Sequence, residues 1–87
     1  MSNATLVKRI SEAALAFEAN ALSFASLREI VESTASAIES LPYTLVLELR
    51  DIQSRLAAEQ AYRDEGHEDK TAEVVARLRE WLQSVPV

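Results

Sequence analysis

The chain has 87 residues, 48% of them hydrophobic, with one glycine, two prolines, no cysteine and a formal net charge of −5. This length predicts a single domain, residues 1–87, with one core, and the absence of cysteine excludes disulfides, thiolate zinc sites and cysteine nucleophiles. Because the negative charge opposes binding to nucleic-acid phosphates and anionic lipid, we expect neither nucleic acid nor a membrane surface as a partner.

The first residues of the chain do not resemble a targeting segment. Lys8, Arg9 and Glu12 interrupt the region in which a secretory signal would place an apolar run of about 7 to 15 residues. The longest apolar stretch, around Val46, is far shorter than the roughly 20 residues that span a bilayer. We therefore expect a cytoplasmic protein without a membrane segment.

The first predicted helix covers about residues 4–21 and carries two apolar faces. Spacings of three and four place one set of apolar residues on a single stripe: Leu6, Ile10, Ala13, Phe17 and Ala21. Leu15 lies about 160° from Phe17 around the helix, and Leu22 falls near Leu15. The second face indicates either a central position within the bundle or a homodimer contact through Leu15 and Leu22.

Serine residues mark the start of the second predicted helix. Ser23 or Ser26 can cap it, and Ser26 with Glu29 fits a capping box, in which a hydroxyl and a carboxylate satisfy free backbone N–H groups. Its inner apolar stripe continues to Leu41. We expect the helix to end there, because Pro42 disfavours helical geometry in the residue before it.

The third predicted helix begins near Thr44 and stops near Asp64. Two pairs of opposite charge at a spacing of four support it: Asp51 with Arg55, and Glu59 with Arg63. Gly66 follows the last periodic residues, where a left-handed cap is easiest for glycine.

Asp69 is the expected cap of a fourth helix with a continuous apolar face that includes Trp81. We interpret Trp81 as a core residue, because tryptophan usually buries its bulk. The connections between the four helices are short, so consecutive helices are expected to be antiparallel neighbours. The predicted fold is therefore all-α, a compact four-helix bundle with short connections.

The entire net charge belongs to the first half of the chain. Between Ile10 and Leu49, six glutamates meet a single basic residue, Arg28, whereas acidic and basic residues balance elsewhere. On the second helix, Glu29, Glu32 and Glu39 are predicted to lie within about 80° of one another, opposite the apolar stripe. This face is either a solvated surface or a docking surface for a basic protein.

Residue patterns for catalysis or metal binding are absent. The only histidine, His67, lies in a predicted turn and lacks the two-histidine spacing of a hydrolytic zinc site. One glycine cannot form a glycine-rich phosphate loop, and no nucleophile motif occurs. We therefore expect no metal, no cofactor, no catalytic residue and no enzymatic activity.

The order of features resembles the colicin D-type immunity proteins and the small bacterial immunity proteins of contact-dependent growth inhibition systems. Three segments carry the resemblance: Leu22 to Glu29, Leu45 to Tyr62, and Ala72 to Leu82. The resemblance implies a compact acidic helical protein that covers the basic site of a cognate nuclease toxin, with carboxylates in place of substrate phosphates. The corresponding residues here would be Glu29, Glu32 and Glu39, extended by Glu12 and Glu18.

The sequence thus leads to a non-enzymatic binding protein, an inhibitor of the immunity or antitoxin type whose partner is a basic protein. The alternative is a self-associating structural or regulatory helical module, which depends on Leu15 and Leu22. The two hypotheses use different helices, so the positions of these side chains in the fold bear on both.

Overall fold

A computed structural model describes residues 2–38, 40–66 and 70–86, and it shows the predicted all-α four-helix bundle. Residues that favour helices dominate the chain, and each of four segments carries an apolar stripe. The four helices bury these stripes against one another. The helices are α1 (Asn3–Glu18), α2 (Phe24–Ala35), α3 (Tyr43–Asp64) and α4 (Thr71–Ser84).

The four helices form a closed ring in which α1 packs against α2 and α4, and α3 packs against α2 and α4. Contacts between early and late residues of neighbouring helices show that neighbours run antiparallel. Arg28, near the start of α2, contacts Gln60, near the end of α3, and Trp81, near the end of α4, contacts Leu45, near the start of α3. The α1–α4 side and the α2–α3 side of the ring are consequently opposite each other.

The core lies along the axis of the bundle and draws on all four helices. Ile10, Leu27, Ile52, Leu56 and Leu78 are completely buried, one or two from each helix. Trp81 is also buried, as predicted, and its indole Nε1 donates a hydrogen bond of 2.9 Å to the backbone oxygen of Leu45. This bond joins the last turns of α4 to the first turn of α3.

α1 is shorter than predicted and ends at Glu18 instead of near residue 21. Asn20 has a φ of 61°, a left-handed conformation that asparagine tolerates better than most residues and that stops a helix. Leu22 therefore lies beyond α1 and is partly buried against the core. Its predicted position on a second face of α1 was wrong.

The start of α2 confirms one of its two predicted caps, whereas the predicted capping box and the predicted end of the helix were wrong. Ser23 is the cap, and its hydroxyl accepts a bond from the backbone N–H of Ser26. Ser26 lies inside the first turn, so the predicted capping box of Ser26 and Glu29 does not form. The helix ends at Ala35, well before Pro42.

α3 follows its predicted bounds closely, but its charged residues pair with α4 and not with each other. Asp51 binds Arg77 in place of Arg55. The carboxylate of Glu59 accepts a 2.7 Å hydrogen bond from the backbone N–H of Lys70, directly before α4. Gly66 has the predicted left-handed conformation, with a φ of 77°. The predicted cap Asp69 lies outside the described residues, and Lys70 occupies the cap position.

Thr34 is a buried polar residue of α2 whose hydroxyl finds no hydrogen-bond partner in the described part of the chain. Its side chain is only 2% exposed. An unsatisfied buried hydroxyl costs stability, and valine has the same branched shape without that group. We expect Thr34→Val to raise the free energy of unfolding by about 1 kcal/mol, measured by urea denaturation followed through Trp81 fluorescence.

Thr34→Ser is the matched control for this change, because it keeps the hydroxyl and removes the methyl group. It should lower the free energy of unfolding by about 1 kcal/mol. A valine variant less stable than the native chain would show that the hydroxyl is satisfied.

Candidate partner-binding surface

The outer face of α2 carries the first two carboxylates of the predicted site. Glu29 and Glu32 are exposed, three residues apart on the side away from the core. The hydroxyls of Ser33 and Ser36 donate to the backbone oxygens of Ile30 and Ser33, at 3.3 and 2.9 Å. These two hydroxyls are therefore already bonded to backbone oxygens of α2. The carboxylates are the groups on this face that can bind a partner.

Arg28 modifies this acidic face more than the sequence indicated. Its Nε donates to Oε1 of Glu32 at 3.0 Å, and its Nη1 donates to Gln60 of α3 at 2.9 Å. One of the two carboxylates is therefore partly neutralised, contrary to the expectation of an unpaired face. Glu29 forms no ion pair or hydrogen bond with any described residue through its side chain, so it is the free charge of α2.

The other predicted site residues do not join Glu29 on one surface. Glu18 accepts bonds of 3.1 and 3.2 Å from Arg79 of α4, which places it on the α1–α4 side of the ring. Glu32 lines a groove between α2 and α3, on the opposite side. Glu12 is exposed on α1 and lies 4.0 Å from Lys8, a separation at which an exposed pair contributes little.

Glu39, the third carboxylate predicted for this face, lies outside the described residues. Its prediction assumed that α2 continues to Leu41, but the helix ends at Ala35. The helical register that aligned Glu39 with Glu29 and Glu32 therefore stops before it. Of the three carboxylates predicted for this face, Glu29 and Glu32 are the two that lie on the described part of α2.

The predicted homodimer contact through Leu15 and Leu22 is not one exposed surface. Leu15 is about half exposed on α1, whereas Leu22 packs against the core. A partner that covered Leu15 would gain one leucine side chain on this helix and not a continuous apolar face.

Sequence reasoning missed a cleft of about 550 Å³ between the end of α1 and the start of α4. Arg63 lies in it, with its guanidinium carbon 5.9 and 5.2 Å from the ring centres of Phe17 and Phe24. These distances allow cation–π attraction, and Arg63 also donates to the hydroxyl of Thr71 at 3.4 Å. The two phenylalanines on either side of the α1–α2 turn are the available signal in the sequence. The predicted pair of Arg63 with Glu59 was wrong, because Arg63 contacts these rings and Thr71.

The described residues contain no group of three acidic or histidine side chains arranged to hold a metal ion. His67 lies outside that part of the chain. Within the same described ranges, no helix has both the length and the apolar character needed to cross a membrane.

Comparison with known proteins adds no family to these observations. No protein-family model matches the chain, and neither the curated proteins nor the solved structures include a significant match. The surface itself is therefore the basis for a functional proposal.

Proposed function

We propose that the protein is a non-enzymatic, cytoplasmic binding protein of the immunity or antitoxin type, which covers a basic site on a cognate nuclease toxin. The observation that carries this proposal is the exposed carboxylate of Glu29, unpaired among the described residues, on the outer face of α2 beside Glu32. The net charge of −5 extends the attraction for a basic partner beyond direct contact.

A groove of mixed polarity next to the acidic face supports the same proposal. The groove lies between α2 and α3 and has a volume of about 320 Å³. Ile38, Leu41 and Val46 form its apolar part, and Glu32 and Arg50 belong to its polar part. Protein interfaces usually combine a desolvated apolar centre with a polar rim. A basic partner could therefore place an apolar side chain in the groove and its cationic residues against Glu29 and Glu32.

Inhibition in this proposal is steric and electrostatic. Carboxylates of α2 take the positions that phosphates of RNA or DNA would occupy on the toxin, and the bundle excludes the substrate. Long-range attraction accelerates the encounter at low ionic strength, whereas short-range packing determines how long the complex lasts. No bond is made or broken by the inhibitor.

The test begins with the whole chain as bait, with mass spectrometry to identify the captured protein and rapid mixing to measure its association rate. We expect Glu29→Ser with Glu32→Ser to lower this rate roughly tenfold at low salt. Glu29→Ser alone is the cleaner variant, because loss of Glu32 also frees Arg28.

Asp64→Ser with Glu80→Ser is the matched control. Both residues are exposed on other helices, and this double change removes the same amount of negative charge. It should affect association only weakly. Equal effects of the two double variants, or an association rate independent of salt, would contradict docking through α2.

A further inference from the structure

The solvent side of α3 carries large hydrophobic side chains among its polar ones. Three large hydrophobic side chains are exposed there: Tyr43 at 72%, Leu47 at 44% and Tyr62 at 48%. The outer face of a helix in a water-soluble bundle is normally polar. Three of the four exposed large hydrophobic residues in the described part of the chain lie on this one helix, which makes its outer face a candidate interaction surface.

The exposed residues of α3 follow a heptad pattern along this side. Six exposed positions recur at spacings of three, four, three, four and three, which keeps them on one narrow stripe. We call them the α3 seam: Thr44, Leu47, Asp51, Ser54, Ala58 and Ala61. The spacing reads the same in both directions, so two copies of the seam can align antiparallel about a two-fold axis.

We propose that two copies of the chain associate through the α3 seam, with the two α3 helices antiparallel. This alignment places Leu47 opposite Ala58 of the second copy, so that a large apolar side chain meets a small one. Asp51 lies opposite Ser54 of the second copy, which offers it a hydroxyl donor. Asp51 also binds Arg77 of its own chain, but both side chains remain about half exposed.

Small residues, Thr44 and Ala61, form the two ends of the seam, and a tyrosine lies next to each of them in the sequence. Thr44 lies opposite Ala61 of the second copy, which permits close approach of the two helices. Tyr43 and Tyr62 of the second copy then lie at the same level on either side of this contact. Their exposed rings cover the two ends of the seam and remove apolar surface from water.

Charge complementarity selects the antiparallel arrangement. Glu48 and Arg55 lie one heptad apart on the same flank of the seam, and neither has a side-chain ion pair or hydrogen bond to a described residue. In the antiparallel pair, Glu48 of each copy lies beside Arg55 of the other, so the pairing occurs twice. On the other flank, Arg50 lies beside Ala57 of the second copy. The two Asp51 side chains come within one helical turn of each other across the two-fold axis, and Arg77 of each chain offsets their repulsion.

The contact involves one helix face per subunit, which is at the small end of specific interfaces. We therefore expect a dimer with a dissociation constant of roughly 10 to 100 μM. This inference does not depend on a basic partner, because the seam lies on α3 and the candidate acidic site on α2.

Sedimentation equilibrium of the whole chain from micromolar to high micromolar concentration tests the proposal. Glu48→Arg and Arg55→Glu should each weaken the dimer about tenfold, since each brings like charges together. The double variant with both changes should restore the native dissociation constant. This rescue depends on the antiparallel alignment and not on helix stability, which circular dichroism checks in every variant.

Leu15→Glu is the control for association through α1, and Ala58→Glu is the disruptive change within the seam. We expect Ala58→Glu to give a monomer and Leu15→Glu to leave the dimer intact. A native chain that is monomeric throughout, a dimer sensitive only to Leu15→Glu, or a charge swap that fails to rescue would each overturn the proposal.

Discussion

Trp81→Ala should lower the free energy of unfolding by about 4 kcal/mol, because it removes the largest buried side chain and leaves a cavity where α3 and α4 meet. Trp81 is only 3% exposed, and its indole also holds the backbone oxygen of Leu45. A domain of this size has a total stability of about 4 to 13 kcal/mol. The change should therefore lower Tm by about 20 °C, measured by circular dichroism.

Trp81→Phe separates the two contributions of this side chain. It retains one aromatic ring but loses the donor to Leu45 and part of the buried indole, so the expected loss is about 2 kcal/mol. If both substitutions had the same small effect, Trp81 would not be an important packing contact between α3 and α4.

The second large effect is expected at Glu59, which positions the start of α4. Its buried carboxylate accepts the hydrogen bond from the backbone N–H of Lys70, and a negative charge at a helix N-terminus also interacts favourably with the helix dipole. Glu59→Ala should lower the free energy of unfolding by about 2 kcal/mol. Hydrogen exchange should accelerate most at the amide of Lys70.

Glu59→Gln is the isosteric control, because its amide oxygen can accept the same bond without a charge. We expect it to lose about half as much stability as Glu59→Ala and to protect the amide of Lys70 better. Glutamine and alanine variants that exchange equally fast at Lys70 would show that the hydrogen bond does not fix the start of α4.

The fold was predictable because helical periodicity repeats in four separate segments. Apolar stripes around Ile10, Leu27, Leu56 and Leu78 identified the four helices, and these residues are all buried. Short connections then favoured antiparallel neighbours. An apolar stripe extends over many residues of a helix. The prediction of the helix therefore does not depend on any single position.

Helix ends were less predictable because one local conformation determines each of them. Asn20 stops α1 through a positive φ, which a sequence permits but does not require. In α2, Ser33 and Ser36 bond to backbone oxygens, and serine is a weak helix former for this reason. Pro42 marked a limit for α2, but the helix had already ended at Ala35.

The candidate site differs from the predicted one, because ion pairs between helices cannot be recognised from the spacing of charged residues in the sequence. Glu18 meets Arg79, a residue 61 positions away, and this pairing removes it from the acidic surface. The pair of Arg28 and Glu32 is different, because its spacing of four makes it predictable from the sequence. The exposure of Glu29 and Glu32 was predictable, because both lie opposite the apolar stripe of α2.

The ring of helices has a consequence for how the chain reaches its structure. Three of the four packed helix pairs are consecutive along the chain, and only α1 with α4 joins distant segments. Low contact order permits folding in microseconds to milliseconds, since consecutive helices meet at a small loss of chain entropy. The packing of α1 against α4 must close the longest segment of chain, so we expect this contact to form last.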